Sequence, residues 1–318
     1  MKNTVKHLFG PVPSRRFGRS LGVDLTPFKT CTLDCVFCQL GHTTSKTCQR
    51  CEYVPLGELK KELLSWIREG GTADYISLAG SGEPTLHNGF GELIDFIHAN
   101  SDIPVALLTN GTTLYSPDVR ESAAKADVAK VTMSAYDQES FVRLHRPCEG
   151  VTFNKLVNGT YAFRRDFKKS LWIEVFLVEG INSDIDNVRR IAALVGSLKP
   201  DKIHLNTSVR PPSEETATAV SEERMIELAS PFDMCPNVII PKFNSISPGD
   251  ELNEVDILEI LRRRPCTAVQ IAEAFDMHMN EVAKYISRLL YKKLIYSDDR
   301  GIGAYYSAVK SKEELVLR

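Results

Sequence analysis

No stretch of this 318-residue sequence approaches the roughly 20 consecutive apolar residues that a membrane-spanning helix needs. The opening Met1–Gly10 carries two lysines but does not run into the apolar segment of a secretory signal. A cytoplasmic protein with no membrane partner is therefore expected. Nor is charge of either sign in surplus, since 39 Lys and Arg meet 41 Asp and Glu for a formal net charge of −2. No overall field draws the chain to nucleic acid, and any such contact has to come from a local patch.

Apolar residues make up 43% of the chain, enough for one large core and a small appended domain. Short apolar runs at Ser20–Leu25, Tyr75–Ala79, Val105–Thr109, Lys130–Ser134, Leu171–Val178 and Lys202–Asn206 read as strands. Between them, helical spacing marks Leu56–Gly70, Gly91–Ala99, Pro117–Lys125, Phe153–Phe167 and Asp184–Leu198. Strand and helix in regular alternation imply parallel strands with helical crossovers. Six such units fall short of the eight of a closed barrel, so the expected fold is α/β, a partial (β/α)6 TIM-like barrel. In that architecture functional groups collect where strands end, in the βα loops.

The turn Ser247-Pro-Gly-Asp250 marks the best boundary, giving domains 1–246 and 250–318. Beyond it, Asn253–Arg264, Thr267–Phe275 and Asn280–Lys293 read as helices. The runs Leu294–Ser297 and Ala304–Val309 then read as a hairpin. Three helices and a hairpin wing make a winged-helix domain the expectation, with Lys284, Arg288, Lys292, Lys293 and Arg300 as candidate phosphate contacts.

Eight cysteines in a chain expected to sit in a reducing compartment read as metal ligands or catalytic groups before disulfides. Cys31, Cys35 and Cys38 stand in C-T-L-D-C-V-F-C directly after the first strand. Three soft thiolates in one loop suit an iron-sulfur cluster, and the spacing alone also fits a zinc site or unrelated buried thiols. Cys48 and Cys51 form a CxxC in a polar stretch, a candidate auxiliary Fe-S cluster or zinc site completed by Cys148 or Cys235, or else an adventitious surface pair. The second strand ends in Leu78-Ala-Gly-Ser-Gly-Glu-Pro-Thr85, the third in Thr109-Asn-Gly-Thr112 and the fourth in Met133-Ser-Ala-Tyr136.

The cysteine loop, with Phe37 as its aromatic member, resembles the CxxxCxΦC loop of the radical S-adenosylmethionine (SAM) superfamily, and Gly80, Gly82 and Glu83 resemble that family's GGE motif. The resemblance covers roughly residues 10 to 245. It implies that Cys31, Cys35 and Cys38 hold a [4Fe-4S] cluster with one open iron for SAM, and that an electron donor such as flavodoxin or ferredoxin serves it. It further implies that Phe37 meets adenine, that Gly80, Gly82 and Glu83 position the methionine end, and that Asn110, Ser134, Asn182 and Asn206 lie along the rest of SAM. The reaction implied is reductive cleavage of SAM to a 5'-deoxyadenosyl radical that abstracts hydrogen.

Phe9–Ser20, Val54-Pro55 and Val209–Pro212 also resemble Fe-S oxidoreductases related to wyosine-type tRNA-modifying enzymes, although no cysteine precedes Cys31 as a second-cluster ligand of those enzymes would. Arg15, Arg16 and Arg19 in that first segment suit a phosphate or carboxylate, or pairing with acidic residues at the rim. Three functions remain open at this stage: modification of an RNA nucleobase or nucleotide-like molecule, modification of a peptide or activation of a glycyl-radical enzyme, and an Fe-S transcription regulator. The last has no need of a methionine clamp.

Overall fold

The computed structural model describes residues 7–14, 16–208, 212–214, 216–232, 238–239, 254–255, 257–258, 260–261, 265–275, 277–299 and 304–309. The chain divides into two compact units, Met1–Phe243 and Asn244–Arg318. The turn at Ser247–Asp250 lies outside the described residues, as do Arg15, Val209–Pro211, Cys235 and Arg300.

The first unit is built on one eight-stranded sheet. Its strands are β1 (Leu8–Ser14), β2 (Gly18–Val23), β5 (Tyr75–Leu78), β6 (Val105–Thr109), β7 (Val128–Thr132), β8 (Ser170–Leu177), β9 (Lys202–Thr207) and β10 (Val238–Ile239), hydrogen-bonded in that order. A separate pair, β3 (Thr30–Cys31) and β4 (Ser45–Lys46), lies within the loop after β2. All neighbours in the large sheet run parallel except β1 and β2. Connecting them are α1 (Leu56–Arg68), α2 (Phe90–Asn100), α3 (Pro117–Ala123), α4 (Gln138–His145), α5 (Phe153–Asp166), α6 (Ile185–Ser197) and α7 (Glu222–Ala229).

The parallel α/β architecture is therefore the observed one, with two differences of detail. The sheet gains β10 at one edge and antiparallel β1 at the other, and the strand expected at Lys130–Ser134 occupies Val128–Thr132. Helix starts are fixed locally. The Asp184 carboxylate accepts from the Asp186 and Asn187 amides at the head of α6, and Asp137 with Ser140 forms a capping box on α4.

Period-2 alternation sorts each strand's side chains. On β8, Leu171, Ile173, Val175 and Leu177 join the main apolar core, while Trp172 packs in a separate cluster with Phe17, Ala106 and Val128. Trp172, Glu174 and Phe176 thus share the other face. Three strands separate β2 from β8, which on a flat sheet puts them about 19 Å apart. Phe17, beside β2, nevertheless stacks on Trp172 with ring centroids 4.8 Å apart. The sheet must curl for that contact to form, and its inner face is closed at the strands' N-terminal side by Phe17, Trp172 and Tyr75.

The second unit contains an antiparallel sheet in the order β11 (Cys266–Thr267), β13 (Ala304–Ala308), β12 (Ile295–Asp299). Helices Ala268–Phe275 and Met279–Tyr291 precede β12, and the second bears a capping box between His278 and Glu281. Ile257, Leu261, Ile271, Val282, Ile286 and Leu289 fill its core. Arg288 and Lys292, two of the candidate phosphate contacts, both pair with the carboxylate of Glu254. Among the described residues no helix is long and apolar enough to cross a membrane.

Candidate metal and cofactor site

Cys31, Cys35 and Cys38 occupy the loop that leaves β2, and main-chain bonds hold that loop from two sides. On one side the Lys29 amide donates to Ser81 O at 2.8 Å and the Glu83 amide to Thr30 O at 3.1 Å. On the other, the Asp34 amide reaches His145 O at 2.9 Å and the Val36 amide Leu144 O at 3.1 Å. The glycines of the turn after β5 are there for space. A Cβ on Gly82 would sit 1.8 Å from Thr30 O, and Gly80 has φ +154° with its missing Cβ directed at the Asp24 carboxylate. Gly82→Ala is expected to displace the cysteine loop, and iron incorporation measured after anaerobic reconstitution should fall well below that of the wild type.

Each of the three sulfurs faces one nitrogen. Lys29 Nζ donates to Cys38 Sγ at 3.0 Å, Asn110 Nδ2 to Cys31 Sγ at 3.5 Å, and His145 Nδ1 lies 3.1 Å from Cys35 Sγ. Burial holds His145 down at about 3, so its ring is neutral. Burial, then the charge of Glu83, pushes the Cys31 thiol up to about 12, and Cys35 rises for the same first reason with Cys31 and Cys38 adding to it. Thiols so reluctant to ionise give up their protons to a metal, and three of them in one loop suit a metal cluster.

Among the described residues no three His, Cys, Asp or Glu side chains surround a single ion. A cubane cluster makes a different demand, because its thiolates bind separate irons and stand farther apart than the ligands of one ion. Three cysteine sulfurs in one loop, each met by a nitrogen donor or ring, are a donor set that fits the [4Fe-4S] group. Hydrogen bonds to the sulfurs set a cluster's potential. Lys29→Met removes the ammonium beside Cys38, and an EPR-monitored redox titration is expected to give a more negative midpoint than in the wild type.

The remaining expected residues divide. Phe37 stacks on Phe176 at 4.0 Å and meets His145 edge-on at 5.5 Å, so it lies on the inner face beside the loop. Asn110 stands next to Cys31 and is itself fixed through its amide to Glu83 Oε2 at 2.7 Å. Glu83 is only 2% exposed, and it also accepts from the Thr85 amide and from the hydroxyls of Thr85 and Thr109. Its carboxylate straps the end of β5 to the end of β6.

Ser134 and Asn182 are bonded to the main chain around the end of β8. Asn182 Nδ2 donates to Ser134 O and Phe176 O, its Oδ1 accepts from the Val178 amide, and Ser134 Oγ accepts from the Phe176 amide. Both side chains brace the turn after β8. Asn206 is buried on β9 with Nδ2 3.3 Å from Glu174 Oε1. Cys48 is joined in a disulfide to Cys148, with Cys51 a free thiol. A sulfur in a disulfide offers no thiolate, so a metal at Cys48 and Cys51 would require the reduced chain. Arg19 is exposed, whereas Arg16 pairs with buried Glu174.

The sequence reading missed the partners of the sulfurs, Lys29 and His145, and a charged layer on the inner face formed by Lys130, Glu174 and His204. The signal for that layer was present: V-A-K-V-T, W-I-E-V-F and K-I-H-L-N each place one titratable residue inside an apolar strand.

The model of the Radical SAM superfamily matches residues 25–192. A protein named GTPase Obg from Brachyspira hyodysenteriae is 36% identical over 300 residues, covering 93% of this chain. The chain spans only 43% of that relative's length and contains no GxxxxGK[ST] run of a P-loop. The UPF0026 protein of Methanocaldococcus jannaschii is 30% identical over 321 residues, 97% of this chain and 98% of its own length. Among solved structures, a radical SAM methyltransferase from Sphaerobacter thermophilus superposes with a TM-score of 0.56 at 16% identity, covering 70% of this chain and 65% of its own. SuiB of Streptococcus suis, bound to its precursor peptide SuiA, gives 0.53 at 15% identity over 70% of this chain and 48% of its own. At such identities the two structures speak for the fold.

Proposed function

The chain belongs to the radical SAM superfamily and to the UPF0026 family, and from that premise we propose that it cleaves SAM reductively and turns the resulting radical on a small substrate held against the inner face of the sheet. The observation that carries this reading is the trio Cys31, Cys35 and Cys38 in the loop after β2, with one nitrogen directed at each sulfur. A cluster bound there supplies one electron to the sulfonium of SAM, which yields methionine and a 5'-deoxyadenosyl radical.

The chain's own part is to hold and to exclude. Cys31, Cys35 and Cys38 would hold the cluster, and with only three protein ligands it would be able to take the amino acid end of SAM as a fourth. Lys29 and Asn110 donate to the sulfurs, Glu83 fixes Asn110, and the stacked Phe37 and Phe176 form an apolar wall that keeps water from a radical. The family likeness favours an RNA nucleobase or nucleotide-like substrate over a peptide, served by a flavodoxin or ferredoxin donor. The second unit supports a winged-helix reading through its two helices followed by the β12–β13 hairpin.

Anaerobic reconstitution and EPR test the proposal. About four irons per chain are expected, with a reduced-cluster signal that changes shape when SAM is added. A cluster whose signal ignores SAM would sink it.

A further inference from the structure

Lys130 on β7, Glu174 on β8 and His204 on β9 form one layer on the inner face. Lys130 Nζ donates to Glu174 Oε2 at 2.6 Å, Arg16 pairs with Glu174 Oε1, and Asn206 Nδ2 approaches the same oxygen. The side chains of Lys130, Glu174 and Arg16 are 8%, 10% and 18% exposed. Among the described residues a guanidinium and an ammonium thus converge on one carboxylate in a buried place. His204, 3% exposed, stands within the same field, and its Nε2 has no hydrogen-bond partner among the described residues. Burial, then the charges of Arg16 and Lys130, hold this imidazole at about 3, so it is a neutral ring beside cations, with Lys202 adding to the same effect.

The layer has a floor and a ceiling. Below it Phe17 stacks on Trp172 and closes the face. Above it, two residues along β8, Phe176 stacks on Phe37 of the cysteine loop. Two residues of strand rise about 6–7 Å, so a group bound at the charged layer places its neighbouring carbons just under the cluster loop.

We infer that Arg16, Lys130 and His204 form the binding site for an oxyanion group of the substrate, a carboxylate or a phosphate, and that Glu174 holds the two cations in place to receive it. The inference rests on the radical reading for the identity of the ligand as substrate, but the site's affinity for an oxyanion can be measured without turnover. Guanidinium and ammonium together match a carboxylate or phosphate oxygen pair, and His204 Nε2 supplies a further buried polar atom with no hydrogen-bond partner among the described residues.

The test uses the full chain with its cluster oxidised, its histidines 15N-labelled, and acetate or inorganic phosphate added at constant ionic strength against chloride. The expected result is a saturable shift of the His204 ring signals with at least one probe, and the probe that saturates first says which oxyanion the site prefers. Arg16→Gln and Lys130→Met should each weaken the apparent affinity by about tenfold or more. Lys130→Met keeps the Arg16–Glu174 pair and Arg16→Gln keeps the Lys130–Glu174 pair, so each variant retains a partner for the carboxylate. No saturable shift with either probe, or a shift that survives both substitutions, overturns the oxyanion site. If SAM still perturbs the cluster signal in that protein, the radical assignment stands; if the His204 shift saturates while SAM is ignored, the failure belongs to the radical assignment instead.

Discussion

Replacing any one of Cys31, Cys35 or Cys38 with Ala is expected to lower 5'-deoxyadenosine formation from SAM by at least ~10³-fold, to background. The reason is structural as well as chemical. All three sulfurs sit in a single loop, each with its own nitrogen partner, and among the described residues no fourth cysteine is bonded into that loop in their place. A missing corner leaves a three-iron or unstable cluster with no way to present an open iron in the same position. Chromatographic quantification of deoxyadenosine after dithionite reduction, with iron and sulfide counted on the same sample, measures the effect. Cys51→Ala, outside the loop, should retain activity within a few-fold of the wild type, and a comparable loss there would mean that Cys51 takes part in the cluster site.

The second large effect concerns Glu174. Burial alone would raise its carboxyl, but Arg16 and Lys130 together draw it down to about 2 from an ordinary 4.5. A group depressed in the folded state contributes stability that is present above its unfolded value, near pH 4.5, and that disappears as the pH falls toward 2. Glu174→Leu removes that contribution and leaves two buried cations facing each other, for an expected loss of about 3–5 kcal/mol at neutral pH. The variant should therefore unfold at lower urea than the wild type at pH 7, and the gap between the two should narrow as the solution is made acid. Both tryptophans, Trp66 and Trp172, lie in the first unit, so fluorescence follows that unit alone. A variant as stable as the wild type at pH 7 would mean that the two cations find another counter-charge.

Much of this was legible in the residues. Six of the strands follow from apolar runs at regular spacing, and the cysteine loop stands out as three cysteines within eight residues directly after the first of them. What escaped did so for physical reasons. Leu8–Ser14 pairs as an edge strand although it contains Pro11 and Pro13, residues that a central strand excludes and that only an edge tolerates. The eight residues of α4 are too few to show a helical period, yet they carry His145 to Cys35. Glu83, Ser134 and Asn182 were legible as polar groups at strand ends, where ligands gather. Their commitment to hydroxyl and main-chain partners depends on neighbours 26 to 48 residues away. The disulfide between Cys48 and Cys148 spans 100 residues, which spacing cannot reveal. Charged residues inside β7, β8 and β9 were visible one by one, but their meeting depends on the curl of the sheet and on Arg16 reaching across it.

The central claim, that this chain cleaves SAM reductively at a cluster held by Cys31, Cys35 and Cys38, meets its most direct test in one assay. The reconstituted protein is reduced with dithionite without oxygen, and methionine and 5'-deoxyadenosine are quantified over time beside the Cys31/Cys35/Cys38→Ala protein. The account predicts both products in equal amounts from the wild type and neither from the control. A fully assembled cluster that leaves SAM intact under these conditions would contradict it.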